Sequence, residues 1–140
     1  MLKLNGLTIK NFMSIGNVTQ SINFSKDDLV LVLGENLDLG GNDNRNGVGK
    51  STIVNALSYA LYGAALTNIK KDNLINKSNM KGMLVTLKFE VNGKGYTIER
   101  GRKRNVYIED GCVLPLGNGK GHFYRAWHYA CPVGQILQGF

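Results

Sequence analysis

The stretch NGVGKST at residues 46–52 contains residue types that suit the binding of a phosphate group. Gly47 and Gly49 carry no Cβ, so consecutive backbone N–H groups can converge on an anion, and the start of a following helix adds its dipole. Lys50 supplies a positive charge for the β and γ phosphates, and the Ser51 hydroxyl suits Mg²⁺. The spacing predicts a loop that binds a nucleotide with its magnesium ion.

The loop departs from the full pattern G-x-x-x-x-G-K-S/T at its first glycine, where this sequence has Asn44. Asparagine tolerates a left-handed backbone better than other non-glycine residues, so the departure is mild. A second start, LGEN, lies upstream at residues 33–36, and joining it to the downstream GVGKST would complete the pattern. We interpret residues 37–46 as a solvent-facing insertion into one site, in which Asn36 or Asn46 fills the asparagine position.

Two flanking elements must position this loop. The run LVLVLG at residues 29–34 is continuously apolar, which predicts a central strand buried on both faces. KSTIVNALSYALYG predicts a helix that ends at Gly63. Its apolar spacing predicts that the helix buries a face made of Ile53, Val54, Leu57, Ala60 and Leu61. This context favours phosphate binding over the alternative, a helix that merely begins with GKST after a flexible loop.

Alternating polarity predicts the rest of an α/β fold with a mixed sheet. The first strand starts at Leu2 and slips in register at Asn5-Gly6, where a bulge is expected. A hairpin is predicted at Asn92-Gly93, and KDD at residues 26–28 predicts a turn. The other predicted strands are residues 20–24, 83–91, 95–100 and 105–110.

Composition limits the classes of protein to consider. A chain of 140 residues with 43% hydrophobic content can bury one modest core, so one domain or one lobe is expected. The net charge of +7 favours an anionic partner over a basic surface kept only for solubility. No apolar run reaches the roughly 18 residues of a membrane span, which predicts a cytoplasmic protein with no membrane partner.

The last thirty residues have a different composition. Both cysteines, both prolines and both histidines lie there, and no Asp or Glu follows Asp110. We therefore predict a lobe at residues 1–110 and an atypical tail at residues 111–140. The tail contains the residue types of a zinc site, but their spacing lacks the short paired knuckle of such sites, so zinc is disfavoured for Cys112, His122, His128 and Cys131.

The sequence resembles a known family over residues 1 to about 110: the SMC-like ATPases of DNA double-strand-break processing nucleases, the SbcC type, including recombination exonuclease subunits of tailed phages. The resemblance rests on LTIKNFMSIG, on VLGEN with NGVGKSTIVNALSYALYG, on IKKDNLINKSN, and on VTLKFEVNGKGYTIERG. It implies the N-terminal lobe of a P-loop NTPase similar to ABC ATPases, with the Walker A helix against a mixed sheet. ATP and Mg²⁺ are the implied cofactors.

The resemblance also implies a set of nucleotide-binding residues. These are Ser14, Asn36, Asn46, Gly47, Val48, Gly49, Lys50, Ser51, Thr52, Ile75 and Asn76, and Ser51 is the metal ligand among them. One departure is Met13, where family members often have an arginine that touches the nucleotide.

The implied partners are DNA without sequence specificity, a nuclease subunit and a second ATPase head in a homodimer. The basic stretch at residues 99–105 and four lysines are candidates for contact with DNA phosphates: Lys70, Lys71, Lys77 and Lys81. No Walker B, signature or glutamine-loop motif is recognisable, so we expect no catalytic residue here and ATP hydrolysis only in a full-length family protein. The alternatives are a binding-only fragment and an ATPase lobe of another P-loop class such as an ABC transporter.

Overall fold

The computed structural model of the protein describes residues 1–25, 29–34, 49–102, 105–109 and 112–115. Six strands form one sheet in the order β2-β1-β3-β4-β5-β6, and a single helix of more than one turn, α1, lies among these residues. The elements are β1 Leu2–Lys10, β2 Gln20–Asn23, α1 Lys50–Tyr62, a 3₁₀ helix Lys71–Asn73, β3 Leu84–Val91, β4 Lys94–Gly101, β5 Asn105–Glu109 and β6 Cys112–Pro115.

The irregularity predicted in the first strand is confirmed. The pairing of β1 with β3 shifts register between Leu4 and Gly6. The Asn5 carbonyl instead accepts hydrogen bonds from the backbone N–H of Phe24 at 3.0 Å and from the Ser25 hydroxyl at 3.3 Å. The extra residue therefore turns its carbonyl toward the segment that follows β2, which is how a bulge redirects backbone polar groups.

The predicted hairpin between β3 and β4 is also confirmed. Asn92 and Gly93 have φ values of 50° and 83°, and Val91 pairs with Lys94 across the turn. A two-residue turn with both central residues at positive φ matches the twist of the flanking strands, and Asn-Gly adopts it at little cost.

The core lies between α1 and the inner face of the sheet, chiefly β1, β3 and β4. The Phe12 and Tyr59 rings connect the two layers, with centroids 5.5 Å apart. Each fully buried side chain of this size contributes about 1.5–3 kcal/mol to folding. Those buried from the strands are Leu7, Ile9, Val85, Leu87, Phe89, Val91, Tyr96 and Ile98.

Helix α1 begins and ends as predicted, and four of the five residues predicted to face the core are buried or pack against it: Ile53, Leu57, Ala60 and Leu61. Gly63 ends the helix at φ 73°, and its N–H donates to the Tyr59 carbonyl. Val54, predicted to be buried, is 51% exposed, whereas Thr52 and Asn55 are buried. The prediction counted apolar residues only, and these two polar side chains enter the interior because each finds a hydrogen-bond partner there.

The predicted central strand at residues 29–34 is wrong. These residues form no strand, and the side chains of Leu29 to Leu33 are 51–101% exposed. A strand persists only where another strand satisfies its backbone N–H and C=O groups, and no described strand pairs with this run. Every strand pair in the described sheet is antiparallel, so the parallel pairing that a mixed sheet requires does not occur in this part of the chain.

The sheet runs past the predicted division at Asp110, because β6 pairs with β5 from Cys112 to Pro115. The division into two segments stays a prediction. Two predictions fall outside the described residues: the turn at 26–28 and the insertion at 37–46. Three of the four residues at which zinc is disfavoured, at 122, 128 and 131, also lie outside them. None of the described helices is long and apolar enough to cross a membrane.

Candidate functional site

The N-terminus of α1 has the features of an anion-binding site. Gly49 precedes the helix in a left-handed conformation, φ 87° and ψ 12°, and no side chain caps the first turn. No acidic residue lies in that turn, so nothing there repels an anion. The first backbone N–H groups of a helix have no intrahelical partner, and the helix dipole places partial positive charge beside them. This end of α1 therefore fits a phosphate group.

Ser14 lies directly against the start of the helix. Its Oγ is 2.9 Å from the Thr52 Oγ1, in a hydrogen bond that joins the turn after β1 to the first turn of α1. A Cβ added to Gly49 would lie 3.0 Å from the same Ser14 Oγ, tighter than most real Cβ contacts, so Ser14 would have to shift. Glycine is thus favoured at position 49 for two reasons, the positive φ and the close approach of Ser14.

Lys50 and Ser51 occupy the first helical turn with their side chains exposed. Among the described residues, Lys50 forms no ion pair with a carboxylate. An exposed hydroxyl beside an uncapped helix start is also accessible to a hydrated Mg²⁺, which prefers oxygen ligands. Both side chains therefore fit the roles predicted for them.

A cleft of about 590 Å³ opens beside Gly49. The turn after β1 and strand β2 form one wall, with Asn17 and Gln20 as its amide side chains, and Ile53 of α1 contributes to the other. The cleft size lies within the usual range of small-molecule sites, and its lining mixes apolar and amide groups. It gives a ligand bound at the helix start room to extend along the protein.

The turn that carries Ser14 has an unusual backbone. Asn11 and Met13 both have positive φ, 49° and 50°. The Met13 N–H donates to the Leu74 carbonyl at 2.7 Å, and the Asn76 N–H donates to the Asn11 carbonyl at 2.9 Å. The left-handed conformation of a methionine costs about 1–2 kcal/mol, so neighbouring contacts must hold it in place.

Ile75 and Asn76 contact the turn that carries Ser14. Ile75 forms a backbone bridge with Phe12 and is almost fully buried. The Asn76 side chain donates from Nδ2 to the Met13 carbonyl at 3.0 Å. The described structure therefore brings Ser14, Gly49 and Thr52 into contact and sets Ile75 and Asn76 behind Ser14. The predicted residues Asn36, Asn46, Gly47 and Val48 lie outside the described residues.

Asn55 is a residue that sequence reasoning missed. Its Nδ2 donates to the Ser51 carbonyl at 3.0 Å, and its Oδ1 accepts from the N–H and hydroxyl of Thr67 at 3.2 and 3.3 Å. Asn55 thus ties the first turns of α1 to the loop after the helix. An asparagine in the middle of a helix more often faces solvent. The only signal in the sequence for the buried role of Asn55 is therefore its position among apolar neighbours.

Arg100 corrects part of the predicted basic surface at residues 99–105. It is 6% exposed, and it donates from Nε to the Ala60 carbonyl at 2.6 Å and from Nη2 to the Leu61 carbonyl at 3.4 Å. Burial lowers the pKa of Arg100 to about 10, so the guanidinium is still charged at neutral pH. A cation at a helix C-terminus is favourable, and Arg100 joins α1 to β4 instead of facing solvent. Side chains two residues apart on a strand share one face of the sheet, so the positions of Tyr96 and Ile98 could have indicated that Arg100 faces the core.

The segment between α1 and β3 carries a group of four exposed lysines. Arg102 pairs with Asp72 at 3.0 Å across an exposed surface. Within the part of the chain that the structure describes, no group of three or more His, Cys, Asp or Glu side chains could hold a metal ion. The lysines exposed on this segment are Lys70, Lys71, Lys77 and Lys81.

Comparison with known proteins gives a consistent result. Residues 6–111 match the family model described as AAA domain. Exonuclease subunit 2 of Enterobacteria phage T4 is 39% identical over 105 residues, and its counterpart of Escherichia phage RB69 is 35% identical over 105; each match covers 75% of this chain and 17% of that protein. The DNA double-strand break repair Rad50 ATPase of Archaeoglobus fulgidus is 36% identical over 100 residues, 71% of this chain and 10% of that ATPase. The chain thus spans less than a fifth of these relatives.

Proposed function

We propose that the chain, which belongs to the AAA domain family, is the ATP-binding N-terminal lobe of an ATPase subunit in a DNA repair or recombination nuclease. Within that family it is similar to the SbcC/Rad50-like members. Residues 1–110 form the lobe, and residues 37–46 are an insertion in its nucleotide loop. The named relatives are an exonuclease subunit and repair ATPases, which favours this function over that of a transporter ATPase.

The observation that carries the proposal is the contact between Ser14 and the start of α1. The uncapped helix N-terminus after Gly49 suits the phosphates of ATP, and Lys50 adds a positive charge to the same place. The positive φ of Gly49 and the close approach of Ser14 favour glycine at this position, as is common where the backbone approaches a ligand closely.

The other proposed site residues complete this arrangement. Ser51 holds Mg²⁺ through its hydroxyl, and Thr52 and Ser14 form the wall next to the phosphates. Ile75 and Asn76 support that wall. The nucleotide-loop residues before Gly49 contribute their backbone N–H groups, and they are Asn36, Asn46, Gly47 and Val48. The bound nucleotide supplies a phosphoanhydride, and this chain contributes binding and orientation only.

Titration with Mg-ATP tests the proposal. Lys50→Ala is expected to raise the dissociation constant about tenfold or more, because hydrogen bonds to a charged group contribute more than neutral ones. Lys94→Ala is the matched control, since Lys94 is an exposed lysine at the start of β4 and the substitution removes the same charge. Equal affinities of the wild type and Lys50→Ala for Mg-ATP would contradict the proposed nucleotide site.

DNA is the second ligand of the proposed function. The lysines between α1 and β3 are exposed, and a few such charges neutralise few phosphates, so binding is weak, independent of sequence and strongly reduced by salt. Replacing Lys70 and Lys71 together with alanine is expected to weaken binding to a random duplex at about 50 mM salt, whereas Lys94→Ala is not. A nuclease subunit and a second copy of the head are the protein partners that the full-length assembly would contain.

A further inference from the structure

A network of asparagine side chains lies behind the Ser14 turn. Asn11 is 1% exposed; its Nδ2 donates to the Lys81 carbonyl at 2.8 Å and to the Asn17 Oδ1 at 3.3 Å. Its Oδ1 accepts from the Asn79 Nδ2 at 2.8 Å. Both N–H donors and the oxygen of this buried amide therefore have partners within the protein.

Asn76 is the second member of this network. Its Oδ1 accepts from the backbone N–H groups of Ser78 and Asn79 at 3.1 and 3.2 Å, which closes the loop after the 3₁₀ helix. Its Nδ2 donates to the Met13 carbonyl, one residue before Ser14. The amide thus connects the closed loop to a strained residue of the turn.

The backbone of the turn needs such support. Met13 has φ 50°, a conformation that side chains other than glycine and asparagine rarely adopt. Both of its backbone polar groups bond to the segment at residues 74–76, the N–H to Leu74 and the C=O to Asn76. Without the Asn76 donor, the carbonyl side of Met13 loses its fixed direction, and with it the peptide that leads to Ser14.

We infer that Asn76, backed by the Asn11–Asn79 pair, is a positioning residue for the nucleotide site: it holds the left-handed Met13, and so holds Ser14 against Gly49 and Thr52. This role rests on the proposed function, because Ser14 has a task only if a nucleotide binds beside Gly49. Asn76 acts through the backbone of Met13.

The test variant is Asn76→Asp in the whole chain. The carboxylate keeps an acceptor for Ser78 and Asn79 but replaces the donor that faces the Met13 carbonyl with a negative oxygen. The Mg-ATP dissociation constant is expected to rise about threefold to tenfold, the loss expected for one hydrogen bond. The control is Asn92→Gly, because it removes the side-chain hydrogen bond of another asparagine, to the N-terminus, at the distant hairpin.

Amide hydrogen exchange supplies a readout that a general loss of stability would not reproduce. In Asn76→Asp, exchange is expected to become faster at the N–H groups of Met13 and Ile15, which bond to Leu74 and Phe12, and to stay unchanged at Gly63. A second variant, Asn79→Ala, removes the side-chain bonds to the Asn11 and Asn76 Oδ1 atoms, at 2.8 and 3.4 Å, but keeps the Asn76 donor to Met13. It keeps the test decisive if Asn76→Asp does not fold. It is expected to weaken binding about twofold.

The outcomes separate the two proposals. Weaker Mg-ATP binding with faster exchange confined to Met13 and Ile15 supports the positioning role. Wild-type affinity in both Asn76→Asp and Asn79→Ala, or a loss no larger than in Asn92→Gly, overturns it and leaves the nucleotide site intact. A wild-type chain that binds no Mg-ATP overturns the proposed function itself.

Discussion

Substitution of Gly49 by alanine perturbs the site at the point where the helix, the loop and the Ser14 turn meet. The new Cβ would lie 3.0 Å from the Ser14 Oγ and 3.8 Å from the Thr52 Oγ1, and the residue would have to keep φ 87°. Ser14 could turn away, but its hydrogen bond to Thr52 would then break. Gly49→Ala is therefore expected to lower both stability and nucleotide affinity.

The magnitude follows from three contributions. A left-handed conformation costs an alanine about 1–2 kcal/mol. The lost Ser14–Thr52 hydrogen bond costs about 1 kcal/mol more. Alanine reduces the entropy of the unfolded chain, which offsets about 0.4–1 kcal/mol. The free energy of unfolding should fall by about 2 kcal/mol.

The assay is urea unfolding of the wild type and variants, combined with Mg-ATP titration. Gly93→Ala is the matched control, because Gly93 has φ 83° and nothing lies within 4 Å of its added Cβ. It should cost about 1 kcal/mol less than Gly49→Ala and leave nucleotide binding unchanged. In a Ser14→Ala background, which already lacks the hydrogen bond to Thr52, Gly49→Ala should cost about 1 kcal/mol less than it does in the wild type. Equal destabilisation by Gly49→Ala and Gly93→Ala, with equal affinity, would refute the reasoning.

Three further predictions concern the rest of the chain. Arg100→Met should lower the free energy of unfolding by about 2 kcal/mol in urea melts, because the Ala60 and Leu61 carbonyls lose their donors. This loss should be the same at pH 6 and pH 8, because burial lowers the pKa of Arg100 only to about 10 and the guanidinium is charged at both pH values. Deletion of residues 37–46 should preserve cooperative unfolding and Mg-ATP affinity; a non-cooperative melt would show that they are structural. The 140-residue chain should bind ATP without hydrolysing it, because no apolar strand ending in Asp-Glu occurs in the sequence, and phosphate release abolished by Lys50→Ala would contradict this.

Local features were predictable from the sequence. The bulge at Asn5-Gly6, the hairpin at Asn92-Gly93 and the helix end at Gly63 each depend on the backbone preferences of one or two residues. Such preferences act over a few positions along the chain, so the sequence displays them directly. The same holds for Gly49, whose left-handed conformation follows from the spacing of the loop.

Long-range polar contacts were not predictable. Asn76 meets Met13 across 63 positions, and Asn79 meets Asn11 across 68. Nothing in the local pattern of an asparagine identifies a partner that far away. The apolar spacing that located α1 missed the burial of Thr52 and Asn55 for the same reason. The strand predicted at residues 29–34 was wrong for a different reason. The composition of this run is that of a buried strand, but its side chains are exposed and no described strand pairs with it.

The most direct test of the nucleotide site is an amide-resolved NMR titration of the chain with Mg-ATP. Bound Mg-ATP is expected to cause the largest saturable shifts at the N–H groups of Gly49, Lys50 and Ser51, with smaller shifts at Ser14. Lys50→Ala should need about tenfold more nucleotide to reach the same shifts. Saturable shifts confined to other parts of the chain, or no shifts at millimolar nucleotide, would contradict the proposed nucleotide site.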